Sequence, residues 1–229
     1  VPFIIARPRV RWTWVLAGIQ LVGVALTFSR GSLIAIVAGC ALALALAGYR
    51  RQIVGLAGVV VVIAALLFVF ARDRLLDPGG GGHEPTRFAL WRSAWHMIRD
   101  RPLFGVGPDQ FLYAYWRRYV EPVGWPERYT SHPHNMILDV WLRLGVIGLA
   151  SFATLIVGVV SQAVQIWREK RDDWLVRGSV VALFGGIVHG MFDNSFFLAD
   201  LATMTWLFVA LIAVSARPQQ SPVVAGAPA

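Results

Sequence analysis

The chain has 229 residues, of which 57% are hydrophobic and only 15% are charged, and its formal net charge is +8. Soluble domains carry nearer a quarter charged residues, so this composition argues against an ordinary water-soluble protein. Basic residues at the ends of membrane helices explain the positive charge better than nucleic-acid binding does, and we expect no nucleic-acid partner. Cys40 is the only cysteine, which excludes a disulfide framework and a cysteine-based metal site.

Six apolar blocks along the chain have about the length that a helix needs to cross the hydrocarbon layer, roughly 17–25 residues. They are Trp12–Phe28, Ser32–Tyr49, Ile53–Ala71, Leu144–Trp167, Gly178–Phe192 and Leu201–Ala216. We therefore predict an all-α, polytopic membrane protein with about six transmembrane helices. The predicted organisation is three membrane helices in 1–71, an outward loop with amphipathic helices in 72–135, three more membrane helices in 136–216 and a disordered tail in 217–229.

Basic residues predict how these helices are oriented, because Lys and Arg concentrate on the cytoplasmic side of membrane helices. If the six blocks alternate in direction, one side receives most of the flanking basic residues. These are Arg7, Arg9, Arg11, Arg50, Arg51, Arg168, Lys170, Arg171 and Arg217. We expect that side to be the cytoplasm, which places the loop 72–135 on the outer face.

The outward loop has the pattern of two amphipathic helices. From Thr86, a suitable N-cap, aromatic and apolar residues recur at spacings of three and four on one face, with basic residues on another. The first set is Phe88, Trp91, Trp95 and Ile98, and the second is Arg92, His96 and Arg99. Such a helix suits the membrane interface, and a helix that packs on the bundle with a solvated charged face fits the same pattern. A second short helix is predicted over Gln110–Val120.

The segment Ser131–Asn135 carries two imidazoles and an amide to the place where the loop meets the fourth apolar block. His134 immediately precedes a rigid helix, and imidazole titrates near neutral pH, so it can accept a proton from a hydroxyl group. The alternative is that His134 or Asn135 simply caps this helix. His132 is the weaker candidate, because Pro133 separates it from the helix.

His134-Asn135, followed after nine residues by Gly145-Val-Ile-Gly148, resembles the signature of O-antigen ligases. Other pieces of the chain are similar to the wider O-antigen ligase and polymerase family. They are Ser29-Arg30-Gly31, Arg87…Trp91…Pro102…Gly105-Val-Gly107-Pro108, and Phe192-Asp193-Asn194-Ser195-Phe196-Phe197. Members of the family usually have more membrane helices, and the chain begins with Val1 and not Met. The resemblance therefore implies the C-terminal portion of a longer membrane protein.

The resemblance also implies an activity, that of a lipid-linked oligosaccharide glycosyltransferase in the bacterial cytoplasmic (inner) membrane. Such an enzyme moves a glycan from undecaprenyl diphosphate to a hydroxyl acceptor at the outer, periplasmic face. The implied partners are this donor, membrane lipids and an acceptor that is a glycan, lipid A–core or a protein hydroxyl. O-antigen ligase and polysaccharide polymerase remain open, because both use the same donor chemistry in cell-envelope biosynthesis.

This transfer needs positive charge to stabilise the departing lipid diphosphate and a base for the acceptor hydroxyl. Arginine suits the first role because its planar fork binds phosphate oxygens and stays charged. We predict His134, Arg30 and Arg87 as catalytic residues. The predicted substrate-binding residues are Arg92, Asn135, His132 and Asp193.

Each of these assignments has a structural alternative. Arg30, expected in a turn too short to leave the membrane boundary, could instead anchor a helix end, and an aspartate such as Asp193 could cap a helix. We expect no cofactor and no required metal ion. The spacing of His132, His134 and Asp139 matches no compact metal pattern, and arginine can neutralise the charge that a metal ion would otherwise neutralise.

Two other functions fit the composition, a membrane anion transporter and a non-catalytic assembly subunit. A transporter places ionisable groups or broken helices near the middle of the bilayer. In this chain the polar residues cluster at one predicted face and the centres of the apolar blocks lack charge. The sequence therefore favours the enzyme.

Overall fold

A computed structural model of the protein describes residues 11–27, 29–49, 84–169, 173–193 and 196–216, with the single positions 51, 54, 55 and 58. All regular structure in these ranges is helical, which confirms the all-α prediction. The expected third membrane helix Ile53–Ala71 lies almost entirely outside the described residues. The glycine tract Gly79–Gly82 and the expected disordered tail 217–229 lie wholly outside them.

Seven α-helices are present in the described ranges. They are α1 (Arg11–Leu26), α2 (Arg30–Leu46), α3 (Glu84–Asp100), α4 (Phe111–Ala114), α5 (Met136–Glu169), α6 (Trp174–Gly190) and α7 (Ala199–Ser215). A π-helical turn over Tyr115–Tyr119 continues α4, and a 3-10 helix follows over Pro122–Glu127. The second predicted loop helix is thus present.

Five of the described helices, α1, α2, α5, α6 and α7, coincide with apolar blocks of the sequence. By length and composition, α5, with 34 residues, is the described helix that could cross a membrane. The other four contain apolar stretches of 10–17 residues. The arrangement with six membrane helices stays a prediction.

The helices α2, α5, α6 and α7 pack into one apolar group, which we call the bundle. At its centre, α2 packs against α6 and buries a stripe of small residues at every fourth position. The stripe is Gly31, Ala35, Gly39 and Ala43. A Cβ on Gly39 would lie 3.6 Å from Cγ1 of Val181, so the two helix backbones approach closely. Small residues at such contacts are typical of helices that associate in lipid.

A second group, the outer cap, consists of α3, α4, the π-helical turn, the 3-10 helix, the segment 128–135 and the stretch 136–144 of α5. Its core contains seven residues that are at most 2% exposed. They are Leu90, Ala94, Met97, Ile98, Phe111, Tyr115 and Leu142. The rings of Phe111 and Tyr115 stack with 5.2 Å between centroids. The outer cap therefore has a hydrophobic core of its own, separate from the bundle.

The structure corrects two expectations about α3. The helix begins at Glu84, before the proposed cap Thr86. The aromatic and basic residues do not lie on separate faces, because Phe88 and Trp95, which are 52% and 41% exposed, share one surface with Arg92, His96 and Arg99. Small and aliphatic side chains of α3 face inward, where the 3-10 helix packs on the helix. A Cβ on Gly124 would lie only 3.7 Å from that of Ala89.

A kink at Gly145 divides α5 between the two groups. Gly145 has φ 70° and ψ −172°, and the turn that follows α3 packs directly on it. Val146 N donates to Pro102 O at 3.1 Å, and Val106 N donates to Leu142 O at 2.7 Å. A Cβ on Gly145 would overlap the carbonyl oxygen of Leu103. This first signature glycine is therefore required because two backbones meet there.

Candidate active site

Asn135 joins the start of α5 to the end of α6. Its Oδ1 accepts hydrogen bonds from the backbone N–H groups of Ile137 and Leu138, both at 3.1 Å, which makes it the N-cap of α5. Its Nδ2 donates to Met191 O at 3.2 Å. The helix-cap alternative is confirmed for Asn135. Its assignment as a substrate contact stays a prediction.

His134 has a left-handed backbone, with φ 51°. This conformation costs a residue with a side chain about 1–2 kcal/mol, although histidine accepts it more often than most residues do. The strain is held from both sides, since Pro133 is buried and Asn135 is tied into the helix cap. Strain that the surroundings maintain in this way is common at functional sites.

The imidazole of His134 lies between two carboxylates. Its Nδ1 is 3.2 Å from Oδ1 of Asp193, and its Nε2 is 3.4 Å from Oε2 of Glu127. Thr130 Oγ1 is also 3.4 Å from Nε2. An ionised carboxylate can only accept hydrogen bonds, so a hydrogen bond to Asp193 requires the proton on Nδ1. In the neutral ring Nε2 then carries the free lone pair.

His132 belongs to the same group, although the sequence ranked it lower. Its Nε2 is 3.3 Å from Oδ1 of Asp193, and its ring centroid is 4.5 Å from that of His134. Ser131 Oγ lies 3.0 Å from its Nδ1. Pro133 therefore brings the two rings together around one carboxylate.

The donor atoms of His132, His134 and Asp193 all lie within 4.8 Å of one another, which is compact enough to hold a metal ion. The carboxylate in this group is Asp193 and not Asp139, the aspartate that lies near the two histidines in the sequence. Because Asp193 is distant from the histidines along the chain, the spacing of residues in the sequence did not reveal the group.

Arg30 approaches this group through its neighbours. It is the first residue of α2 and does not lie in a turn, because Ser29 caps the helix by accepting a hydrogen bond from Ser32 N at 3.3 Å. A Cβ on Gly31 would lie 3.0 Å from Cβ of Phe192. Arg30 precedes Gly31 in the chain and Asp193 follows Phe192, so the contact between Gly31 and Phe192 brings the backbones at Arg30 and Asp193 near each other.

Arg87 and Arg92 lie on α3, which packs under the 3-10 helix that ends at Glu127. Arg87 is half-buried in the first turns of α3. Arg92 Nη2 is 2.5 Å from Glu121 Oε2, and its Nε lies 3.1 Å from Oε1. This hydrogen bond holds the pKa of Glu121 below its usual range. The fork of Arg92 is therefore bound to Glu121 and not to the histidine pair.

One buried ion-pair network was missed by the sequence analysis. Asp139 is fully buried, and Arg143 Nε lies 3.1 and 3.0 Å from its two carboxylate oxygens. Arg143 also pairs with Asp109, and its guanidinium lies 4.5 Å above the ring of Phe197. The network joins the outer cap to the link before α7. The spacing of four residues between Asp139 and Arg143 is the sequence signal that could have revealed it.

A cavity of about 680 Å³ lies in the bundle between α2, α5, α6 and α7. Most of its lining is aliphatic or aromatic, and His189 is among the few polar residues. Ser32, Met136 and Phe196, close in sequence to Arg30, Asn135 and Asp193, also line it. The cavity therefore extends to elements that form the histidine site.

Comparison with known proteins identifies relatives of this chain. A family described as O-antigen ligase matches residues 15–153, a range that contains His132, His134 and Gly145. The O-antigen ligase of Salmonella typhimurium (strain LT2) is 25% identical over 163 residues, which covers 65% of this chain and 39% of the relative. The chain thus spans about two fifths of the length of this curated relative.

Proposed function

Because the chain belongs to the O-antigen ligase family, we propose that it forms part of an integral-membrane glycosyltransferase. In this proposal the enzyme transfers a glycan from undecaprenyl diphosphate to a hydroxyl acceptor at the outer face of the bacterial cytoplasmic membrane. Six membrane helices in residues 1–216 would carry the site. The supporting observation is the position of His134 between Asp193 and Glu127, at 3.2 and 3.4 Å.

In the proposed step the acceptor oxygen forms a bond to the anomeric carbon of the donor sugar. The bond between that carbon and the diphosphate oxygen breaks, and the lipid diphosphate leaves with the electron pair. The acceptor proton passes to Nε2 of His134, which acts as the general base. The resulting imidazolium lies between the carboxylates of Asp193 and Glu127, and both stabilise its charge.

The departing diphosphate needs cations beside it, and Arg30 and Arg87 are proposed for this role. Arg30 stands at the N-terminus of α2, where the positive end of the helix dipole also favours an anion. The apolar cavity below the site offers room for the lipid chain of the donor. Arg92, His132 and Asn135 are proposed to contact the substrates or to position the groups that do.

Replacement of His134 by asparagine tests the proposal. Asparagine accepts the left-handed backbone but cannot act as a base, so the fold should be kept. We expect transfer by the full-length enzyme in proteoliposomes to fall by about 10²–10⁴-fold. His96→Asn, at an exposed histidine of α3, is the matched control and should transfer normally. Wild-type transfer by His134→Asn would contradict the proposed role.

The proposed reaction does not require a metal ion, although His132, His134 and Asp193 are close enough to bind one. The distances of 3.2 and 3.3 Å between the rings and Asp193 are also those of ordinary hydrogen bonds. We expect transfer to be unchanged after dialysis against EDTA. Loss of transfer that is restored by a divalent cation would overturn this part of the proposal.

A deletion strain separates the two forms of the enzyme. Polymer that stays on its lipid carrier would identify a ligase, and accumulation of lipid-linked single repeats would identify a polymerase.

Solute flux in proteoliposomes that depends on His189 but not on His134 would favour the transporter instead. An assembly subunit would be indicated if the full-length protein with His134→Asn supported normal glycan transfer in cells.

A further inference from the structure

Three exposed aromatic rings and an arginine form a continuous surface on the outer cap, which we call the aromatic platform. The rings belong to Trp116, Trp125 and Tyr129, with exposed fractions of 41%, 55% and 63%. Arg128 lies between two of them, with its guanidinium 4.8 Å from the centroid of Trp125 and 4.6 Å from that of Tyr129. Trp116 extends the surface, 6.1 Å from Tyr129.

A hydrogen bond to the backbone holds the arginine at the centre of the platform. Arg128 Nη1 donates to Trp125 O at 3.0 Å, which fixes the guanidinium between the rings. A guanidinium has five N–H donors, and that of Arg128 makes no other hydrogen bond within the described residues. The platform therefore offers flat apolar faces together with hydrogen-bond donors.

The same short segment that carries the platform also forms one side of the histidine site. Glu127 and Thr130 lie on either side of Arg128 and Tyr129 in the chain, and each is 3.4 Å from Nε2 of His134. One short segment, 125–130, therefore contributes both to the platform and to the surroundings of the nitrogen that is proposed to receive the acceptor proton.

We infer that the aromatic platform is a binding subsite for the sugar rings of the acceptor glycan. This inference rests on the proposed function, because it assigns one of the two substrates of that site. The C–H faces of a sugar pack on aromatic rings, and its hydroxyl groups can accept hydrogen bonds from Arg128. Bound in this way, the acceptor presents a hydroxyl group to His134 Nε2.

A membrane surface is a different occupant, because Trp and Tyr also favour the lipid interface. The position of Arg128 favours the sugar. Insertion of the platform into lipid would remove water from a guanidinium that lies in the middle of the surface, which is costly. Sugar hydroxyl groups would instead replace that water.

The test measures glycan binding separately from transfer. Full-length protein in nanodiscs is titrated, without donor, with the glycan released by mild acid from the host's own surface glycolipids, and tryptophan fluorescence is followed. We expect Trp125→Ala and Tyr129→Ala each to weaken binding about tenfold, and to raise the acceptor KM of transfer by a similar factor with little change in kcat. Phe104→Ala removes a ring that is 76% exposed in the turn packed on Gly145, and it should bind like the wild type.

Several outcomes would overturn the inference. They are wild-type binding by both platform variants, an absence of glycan binding by the wild-type protein, and quenching of Trp125 by brominated lipids that the glycan does not prevent. A different result would show that the proposed function is wrong while the binding subsite is correct. The wild-type protein would then bind the glycan through the platform, and His134→Asn would leave transfer unchanged.

Discussion

The outer cap and the bundle differ in what surrounds their apolar side chains. In the cap, Leu90, Met97 and Tyr115 are fully buried. In the helices of the bundle, Val157 and Val214 are 67% and 61% exposed, as is expected of side chains that face lipid. Burial away from water stabilises the cap, whereas close backbone packing, as between Gly39 and Val181, holds the bundle together.

The candidate site lies where the two regions meet. Thr130, His134 and Glu127 come from the cap, while Asp193 and the Met191 carbonyl come from the end of the bundle. Polar groups of this kind are costly in lipid and are better placed where the cap covers them. A substitution that separates cap from bundle should therefore affect the site more than one on the outer surface of the bundle.

The largest effect is expected for Gly145→Val. The new side chain would overlap the Leu103 carbonyl and would also impose a strained positive φ, so the turn could not pack on α5. We expect a loss of more than about 4 kcal/mol in stability and rapid proteolysis of the cap. Gly158→Val is the control, because nothing lies within 4 Å of a Cβ there. Equal apparent melting temperatures in nanodiscs would show that the kink does not join the two regions.

Asp139→Ala should have the next largest effect. It leaves Arg143 without its buried partner, at a cost of about 3 kcal/mol. Asp109→Asn removes the charge of the exposed partner, keeps a residue type that accepts the φ of 56° at this position, and should cost less than about 1 kcal/mol. Thermal unfolding of both variants measures the difference. Similar losses would mean that burial of Asp139 does not determine the strength of the network.

Two valines of α5 compare the regions directly. Val140 is fully buried in the cap, and Val157 is 67% exposed in the bundle. We expect Val140→Ala to cost about 2 kcal/mol and Val157→Ala less than about 0.5 kcal/mol. If the losses measured by thermal unfolding were reversed, side chains such as Val157 would have to pack against protein and not lipid.

The smallest effect concerns alkaline pH. Burial raises the pKa of Tyr115 to about 12, with a further contribution from the charges of Glu127 and Glu121. The unfolded chain loses this proton near pH 10, so stability should fall as the pH rises from about 10 to 12 and be unaffected below that range. In Tyr115→Phe the fall in melting temperature between pH 9 and 11 should be smaller than in the exposed control Tyr113→Phe. An equal fall in melting temperature in the two variants would contradict the raised pKa of Tyr115.

Much of the helical structure could be predicted, because composition and periodicity are properties of neighbouring residues. The apolar blocks became helices wherever the structure describes them, and Asn135 caps α5 as its type and position allow. The separation of aromatic and basic residues on α3 was predicted wrongly. Spacings of three and four place them on different faces of a regular helix, but in the structure Phe88 and Trp95 share one surface with Arg92 and Arg99.

The amino-acid sequence alone establishes the helical class and the family, and it predicts a role for His134, because these depend on residue types at short spacings. Tertiary structure decides what surrounds them. Asp193 is 59 residues from His134 along the chain and reaches it through the packing of α5 and α6. Glu127 and the Leu103 carbonyl carry no signal in the sequence, since their roles come from distances that arise only when the cap folds onto the bundle.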